Sequence, residues 1–378
     1  EPIGTASGGD YEVDYDRKAV IEGTGDGVPK MRAAFREGIG CIVLQPDQTL
    51  EGINDLPIVS LPYPDDDPVS TPWPQGDLVT SSALPSYVDG EALQAASDWA
   101  FERESNDQVT TGLLVLHRGN IVHERYASGF DLSTRTRTWS TAKSIASTLI
   151  GMVVDEGKLS LDEPLGISFP PESANGDDPR SNITLRHVLN MSSGLATDNG
   201  WRSRFGELLG IDSGLSYWAG ASSAVGARTR ALIREPGTNW DYENYDTLLA
   251  VYAMRQVLGE DAYREFPRTA LFDKIGMQNT LVGTDRFGDF VLSSQVYTNA
   301  RDLGRFGLLY LQNGVWNDER LISREWIDFV RTPAPATSDR GNMYGGQFWL
   351  VPDDRDDVPK DAYLTSGNRG NYTVIVPT

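Results

Sequence analysis

The chain has 378 residues, which is enough for one large domain with an insertion or for two domains. Its hydrophobic fraction of 39% and charged fraction of 23% are ordinary for a soluble protein. The net charge of -21 argues against binding to nucleic acid or to anionic membrane surfaces, because their phosphates would repel it. No apolar run reaches the roughly 18 residues that a transmembrane helix needs, so no transmembrane segment is predicted.

Residues 1–85 are rich in glycine, proline and aspartate and show weak periodicity. They predict an extended N-terminal arm that wraps the main body. Within the arm, a short helix is predicted near Lys30–Glu37 and a strand at Gly40–Gln45. The proline-containing segments Leu61–Pro68 and Thr71–Pro74 exclude a helix or a central strand at those positions.

Helical and extended patterns are clearer after residue 85. Apolar side chains at three- and four-residue steps predict a buried helix that begins near Ser140 and ends at Gly157. Further helices are predicted at Asp89–Glu104, Ile183–Met191, Asp246–Leu258, Ala300–Leu311 and Ser323–Arg331. Strands are predicted at Gly112–Leu116, Ile121–Tyr126, Gln347–Val351, Ala362–Leu364 and Tyr372–Val376.

Strands therefore open and close this region, and helices fill its middle. This order predicts an α/β fold of the α+β type, in which a central antiparallel sheet is flanked by helices and carries an inserted, mainly helical lobe. The predicted parts are the arm at 1–85, a sheet domain made of 86–157 and 293–378, and the lobe at 158–292. A pocket between the sheet domain and the lobe is the default location for an active site.

Ser140 and Lys143 form an S-x-x-K pattern at the start of the predicted buried helix. Residues three apart lie on one helix face, so the hydroxyl and the amine can meet. Burial lowers the pKa of a lysine, which would make Lys143 a proton acceptor. The alternative is a capping serine and a first-turn lysine that reaches solvent. Taken alone, the pattern favours that alternative.

Two further motifs contain polar residues beside glycine turns. A Pro-Gly turn at 236–237 precedes Tyr242 and Asn244, which can project to the same side of the chain. The pKa of a tyrosine falls when an ammonium group lies close, and its hydroxyl can relay a proton. Near the end, Gly367 and Gly370 stand beside a predicted strand and would let a ligand approach the backbone. A surface turn and a simple hairpin are the respective alternatives.

The three motifs lie at Ser140–Lys143, Tyr242–Asn244 and Ser366–Asn371. Their order and spacing resemble the serine β-lactamase and penicillin-recognising superfamily from about residue 87 onward. The chain is similar to the branch near class C β-lactamases, which includes family VIII carboxylesterases and 6-aminohexanoate-dimer hydrolases. The resemblance implies a β-lactamase/transpeptidase-like fold. It also implies a serine hydrolase that cleaves ester or small linear amide bonds through an acyl-enzyme.

The resemblance further implies a role for each motif residue. Ser140 would be the nucleophile, and Lys143 and Tyr242 would share the proton transfers, with the base assigned to neither. Asn244 would orient Lys143 or the substrate carbonyl. The backbone N–H groups of Ser140 and Asn368 would form the oxyanion hole. The implied partner is a small-molecule ester or amide, with no cofactor and no metal.

Two departures from the family pattern affect the substrate prediction. Thr365 stands where penicillin-handling members carry the lysine or histidine of K-T-G or H-T-G, a cation that commonly binds a substrate carboxylate. Its absence argues against β-lactam substrates, although Arg369 could substitute for it. Family members also add a strand and a helix beyond the position of Thr378, so either a further segment or an uncovered sheet edge is expected. A β-lactamase or D,D-peptidase therefore stays an alternative, as does a non-catalytic protein that keeps the pocket for binding.

Substrate contacts are predicted at Gly367 and Arg369 from the third motif. Three aromatic residues of the loop-rich insert are candidates for lining the cleft and equally for core packing, namely Trp201, Tyr217 and Trp218.

The chain begins with Glu1 rather than methionine, which a removed secretory leader or a trimmed sequence would explain. The expected location is the bacterial periplasm or the exterior, and the cytoplasm stays an alternative.

Overall fold

A computed structural model of the protein describes residues 11–22, 31–44, 51–65, 67–80, 84–103, 109–170, 177–196 and 220–377. The α-helices are α1 Gly90–Phe101, α2 Thr141–Asp155, α3 Leu185–Leu189, α4 Ser223–Arg228, α5 Tyr245–Leu258, α6 Glu260–Phe266, α7 Asp273–Ile275, α8 Ala300–Leu311 and α9 Arg324–Arg331. Short 3-10 helices lie at Ile53–Asp55, Pro179–Asn182 and Pro335–Arg340, and a π-helical turn at Pro267–Phe272 joins α6 to α7.

The strands of the N-terminal part are β1 Tyr11–Asp14, β2 Ala19–Glu22, β3 Met31–Arg36 and β4 Gly40–Leu44. Those of the body are β5 Gly112–His117, β6 Asn120–Tyr126, β7 Thr136–Arg137, β8 Leu281–Val282, β9 Val296–Thr298, β10 Val315–Trp316, β11 Glu319–Arg320, β12 Trp349–Leu350, β13 Tyr363–Gly367 and β14 Asn371–Ile375. The predicted helices and strands after residue 85 are confirmed, with ends that differ by a few residues.

Helix α2 lies in the main hydrophobic core. Every residue from Thr141 to Val153 is buried, because α5, β13 and the aromatic side chains of α9 surround it. At Gly151 the indole of Trp326 lies so close that an added Cβ would come within 2.5 Å of it. The prediction of a buried helix starting near Ser140 is confirmed.

The N-terminal region differs from the predicted extended arm. Strands β1 to β4 form a four-stranded antiparallel sheet, in which Ala19 of β2 lies opposite Ala34 of β3. The helix predicted near Lys30–Glu37 is wrong, since Met31–Arg36 is strand β3. Alanine, methionine and arginine favour helices locally, but pairing with β2 and β4 on both sides overrides that preference.

Residues 51–65 and 67–80 contact the body, and arginines of the body hold them in place. Arg305 of α8 is 1% exposed and donates to the backbone oxygens of Pro74 at 2.8 Å and Gly76 at 2.6 Å. It also pairs with the carboxylates of Asp77 and Asp302 at 2.8 and 2.9 Å. The arm is thus attached by buried charge-assisted hydrogen bonds, which are stronger than neutral ones.

Replacing Arg305 by methionine is expected to lower the free energy of unfolding by about 3–5 kcal/mol, because the buried carboxylate of Asp302 loses its partner. Chemical denaturation measures the loss, and limited proteolysis should cut residues 51–80 earlier. Arg355→Met is the control, since its pair with Asp357 is exposed and screened by solvent and should contribute little to stability. Equal stability losses in the two variants would contradict this assignment.

The strands of the body form antiparallel ladders, and the mixed helices and antiparallel sheets confirm the predicted fold class. Strands β5 and β6 pair with each other, and β12, β13 and β14 form a second ladder. Within the described residues, β5 and β14 do not pair, and they flank a groove of about 510 Å³ floored by α8. The predicted central sheet is therefore divided at this groove, and the division of the chain into three parts stays a prediction.

Candidate active site

The chain enters α2 through an unusual backbone conformation. Trp139, immediately before Ser140, has a φ of 52°, a left-handed value that residues with a Cβ seldom adopt. Thr138 is held by β9, because its N–H donates to the carbonyl of Val296 at 2.8 Å. Among the described contacts, the Ser140 side chain makes no capping hydrogen bond to the helix. Its hydroxyl is therefore free for other partners.

Lys143 lies in the first turn of α2, three residues after Ser140, and is 1% exposed. Its Nζ donates to Ser140 Oγ at 3.3 Å, to the carbonyl of Ser293 at 3.1 Å and to Asn244 Oδ1. The three acceptors match the three protons of an ammonium group. The contact between hydroxyl and amine that the S-x-x-K pattern predicted is present, and Ser293 is a partner that the sequence did not reveal.

Burial lowers the pKa of Lys143 to about 7, because the charged form loses its hydration. The negative charge of Glu243 opposes this shift without cancelling it. Close to neutral pH a large share of the amine is therefore uncharged. An uncharged amine in contact with a hydroxyl can accept its proton, which is the requirement for a general base.

Tyr242 approaches Ser140 from the segment that precedes α5. Its phenol lies near enough to Ser140 for the serine to affect its pKa, and Lys143 Nζ lies 5.1 Å from the centroid of its ring. Burial raises the pKa of Tyr242 to about 12, and the nearby Ser140 reduces this rise only in part. The expected lowering of this pKa by a neighbouring amine is not seen, because burial dominates. The phenol is thus protonated at neutral pH and can donate a hydrogen bond.

Glu243, directly after Tyr242, is a site residue that the sequence reasoning missed. Its carboxylate accepts the backbone N–H groups of Tyr245 and Asp246 at the start of α5, where the helix dipole favours an anion. Burial raises the pKa of Glu243, and its charge in turn raises the pKa values of Lys143 and Tyr242. The sequence did contain a signal for Glu243, because this acidic residue lies between the predicted site residues Tyr242 and Asn244.

The third motif lies against the start of α2. An added Cβ at Gly367 would come within 1.9 Å of the carbonyl oxygen of Thr138, so only glycine fits there. Thr141 Oγ1 donates to the carbonyl of Asn371 at 2.8 Å. These two contacts bring the β13–β14 hairpin to the residues that flank Ser140.

Asn368 and Arg369 occupy the exposed turn of this hairpin. The N–H of Arg369 donates to Asn368 Oδ1 and the Asn371 amide donates to the Asn368 carbonyl, both at 2.9 Å. Both hydrogen bonds therefore lie within the turn. The turn follows Gly367, which contacts Thr138 just before α2. The predicted roles of Asn368 in an oxyanion hole and of Arg369 in substrate binding stay predictions.

The sequence of this chain matches a known protein family over most of its length. A family model described as Beta-lactamase matches residues 99–378, most of the chain. This protein belongs to the β-lactamase family. The family and its relatives indicate a serine hydrolase of the β-lactamase superfamily. They do not specify the substrate.

Two relatives and one solved structure show how far the similarity extends. The chain is 24% identical over 274 residues to a 6-aminohexanoate-dimer hydrolase of Paenarthrobacter ureafaciens, covering 68% of each chain. It is 25% identical over 329 residues to penicillin-binding protein 4 of Amycolatopsis lactamdurans, covering 79% of this chain and 78% of the relative. A Bacillus anthracis structure assigned as a 6-aminohexanoate-dimer hydrolase superimposes with a TM-score of 0.60 at 22% identity over 71% of each chain, which supports the fold alone.

Aromatic rings surround the Tyr242 side chain of this β-lactamase-family protein. The ring centroids of Trp349, Tyr344 and Trp240 lie 5.3, 5.9 and 6.1 Å from that of Tyr242. Edge-on and tilted contacts at these distances stabilise aromatic pairs and fix the direction of the phenol. Trp349, which remains partly exposed on β12, was not singled out in the sequence because its partners are distant in the chain.

The predicted pocket residues Trp201, Tyr217 and Trp218 lie outside the described residues, so their predicted contacts stay predictions. In the part of the chain that the structure covers, no helix combines the length and apolar character that a membrane span requires.

Proposed function

We propose that this protein hydrolyses ester or small linear amide bonds through an acyl-enzyme on Ser140. The observation that supports this most directly is the contact of the Ser140 hydroxyl with the buried amine of Lys143, with the phenol of Tyr242 beside them. The amine has a pKa of about 7, so it can take the serine proton at neutral pH. No single motif supplies this combination, since α2 provides Ser140 and Lys143 and a distant segment provides Tyr242.

In the acylation step, uncharged Lys143 accepts the proton of Ser140 while Oγ forms a bond to the substrate carbonyl carbon. The carbonyl oxygen becomes an oxyanion, which the N–H groups of Ser140 and Asn368 would stabilise at the helix N-terminus. Collapse of the intermediate breaks the bond to the alcohol or amine. The proton passes from Lys143, directly or through Tyr242, to that leaving group.

Deacylation repeats this sequence with water as the nucleophile. Water loses a proton to Lys143 as its oxygen attacks the acyl carbon, and Ser140 Oγ regains a proton as the ester bond breaks. Asn244 and the Ser293 carbonyl hold the amine in place throughout, because both accept hydrogen bonds from Nζ. Lys143 is therefore the base that the geometry favours, with Tyr242 as the donor that relays the proton.

The substrate class rests on the third motif. Strand β13 carries buried Thr365 at the position where a cation would bind a substrate carboxylate. Substrates without a carboxylate, such as simple esters, avoid this requirement. Linear amides are included because one relative is a 6-aminohexanoate-dimer hydrolase. The second candidate is a β-lactamase or D,D-peptidase, which the similarity to a penicillin-binding protein and the nearby Arg369 favour. A non-catalytic binding protein is the third, and it predicts an unreactive Ser140.

The decisive experiment combines covalent labelling with a substrate panel. A p-nitrophenyl phosphonate should add one phosphonyl group to the intact protein, and peptide mapping should place it on Ser140. Turnover of p-nitrophenyl butyrate and of a linear 6-aminohexanoate amide should exceed that of nitrocefin. Faster turnover of nitrocefin would favour the second candidate, and an unlabelled, inactive protein would refute the hydrolase proposal.

The activity should depend on pH through the titration of Lys143. We expect kcat/KM for p-nitrophenyl butyrate to rise through a midpoint near pH 7, because only the uncharged amine accepts the serine proton. No fall is expected below pH 9, since the pKa of Tyr242 is about 12. A profile measured between pH 5 and 9 that is flat, or that falls as the pH rises, would contradict Lys143 as the base.

A further inference from the structure

Gln347 adopts a conformation that its residue type disfavours. It has a φ of 69°, follows two glycines and is only 2% exposed. Glycine adopts this left-handed backbone at no steric cost, whereas a residue with a Cβ is strained there. Strain of this kind persists only where the surroundings hold the residue in place, and it is common near functional sites. The side chain of Gln347 therefore merits a functional explanation.

The side chain of Gln347 joins α3 to α5. Gln347 Nε2 donates to the carbonyls of Val188 and Leu189 at the end of α3, at 3.2 and 2.8 Å. Its Oε1 accepts a hydrogen bond from Thr247 Oγ1 of α5 at 2.8 Å. All four residues are buried, so each of these bonds would leave an unpaired polar group if it were lost.

The backbone of the same residue joins the helix of Ser140. Ser144, next to Lys143 on α2, donates its hydroxyl to the Gln347 carbonyl at 2.7 Å. One turn later, Ser147 donates to the Gly346 carbonyl at 3.0 Å. Gln347 thus connects α2 with α3 and α5 through hydrogen bonds to its backbone and its side chain.

Both ends of these connections lie close to the proposed reacting groups. Thr247 is three residues beyond Asn244, which contacts the amine of Lys143. Just beyond the end of α3, the carbonyl of Met191 accepts a hydrogen bond from the N–H of Asp241 at 2.9 Å, so α3 also holds the residue before Tyr242. A change in the spacing of α2, α3 and α5 would therefore move the Tyr242 phenol and the Asn244 side chain away from Ser140.

We propose that Gln347 is a positioning residue that sets the distance between two pairs of residues. Ser140 and Lys143 form one pair, and Tyr242 and Asn244 form the other. This inference rests on the proposed hydrolase function. It assigns Gln347 no contact with the substrate. The residue acts by tying together the elements that carry the reacting groups.

Two variants test the connection from its two sides. Gln347→Gly keeps a residue that favours the left-handed backbone but removes the amide, and Thr247→Val removes only the donor on α5. The matched control is Thr148→Val, another buried threonine, whose hydroxyl bonds to Tyr310 at 2.6 Å and does not join α2 to α3 or α5. Thermal unfolding of the three variants measures how much stability each loses when a buried hydrogen bond is removed.

We expect kcat for p-nitrophenyl butyrate to fall about 100-fold in Gln347→Gly and about tenfold in Thr247→Val, with KM changed by less than about threefold. Thr148→Val should keep kcat within about threefold of wild type. The rising limb of the pH profile should move to higher pH in Gln347→Gly, because water admitted near Lys143 relieves its burial. The groups that face that amine, the carboxylate of Glu243 and the neutral phenol of Tyr242, are unchanged in this variant.

Labelling of Ser140 by the phosphonate separates the two proposals. Wild-type protein that is not labelled refutes the hydrolase function and this inference with it. If wild-type protein is labelled but Gln347→Gly is labelled at the same rate, with unchanged kcat and pH profile, Gln347 is structural and the hydrolase function stands. A loss of kcat in Thr148→Val as large as that in Gln347→Gly would likewise overturn the positioning role.

Discussion

Replacing Ser140 by alanine is expected to lower kcat/KM for p-nitrophenyl butyrate by about 10⁵-fold, because the atom that forms the acyl bond is removed. The fold should be retained. In the described residues Ser140 makes no capping hydrogen bond to α2, so the helix loses no side-chain cap. Steady-state turnover and phosphonate labelling measure the effect, and both should vanish together.

A matched control for this variant is Ser323→Ala. Ser323 is also the N-cap residue of a helix, and its hydroxyl accepts a hydrogen bond from the N–H of Trp326 at 3.1 Å. Its removal should cost about 1 kcal/mol of stability and leave turnover intact. The two serines therefore predict opposite outcomes, with activity lost in one variant and stability in the other. Ser140→Ala protein that keeps more than about 1% of its activity would refute the nucleophile assignment.

Replacing Lys143 by methionine should lower kcat/KM by about 10³-fold, because the proton acceptor for the serine hydroxyl is lost. Methionine has a similar length and no charge, so the site stays filled. The change removes a costly buried amine but leaves the Ser293 carbonyl and the Asn244 amide oxygen without this partner. These effects oppose each other, and we expect the melting temperature to change by only a few degrees.

The pH profile adds a second readout for Lys143→Met. Its residual activity should lack the rise near pH 7 that wild-type protein is expected to show, since the titrating amine is absent. Lys274→Met serves as the control, because Lys274 is exposed and pairs with the exposed carboxylate of Glu319. A residual activity in Lys143→Met that still rises with a midpoint near pH 7 would place the titrating base elsewhere.

Local patterns were sufficient for several features of this protein. The three- and four-residue spacing of apolar side chains identified α2, and the same helix geometry placed Ser140 beside Lys143. The spacing of the three motifs also identified the family that residues 99–378 match. Strand β3 shows where such patterns fail, because Met31–Arg36 contains good helix formers and is nevertheless held in a sheet by its two neighbours.

Contacts between distant segments could not be derived in the same way. The Ser293 carbonyl binds an amine 150 residues away, and Gln347 reaches Thr247 across 100 residues. Neither residue belongs to a pattern that points to its partner. The rise in the pKa of Tyr242 has the same origin, because the rings of Trp349, Tyr344 and Trp240 that bury it come together only in the folded chain.

The amino-acid order therefore determined the family, from the order of the motifs, and the pairing of Ser140 with Lys143, which depends on residues three apart in one helix. It also supplied the residues that are proposed to react. The folded structure set the pKa values from which Lys143 is proposed as the base, because the pKa of an amine or a phenol depends on how completely the surrounding chain excludes water. It also decided what holds the two halves of the site together. That spacing is set by buried hydrogen bonds between segments that only packing brings into contact.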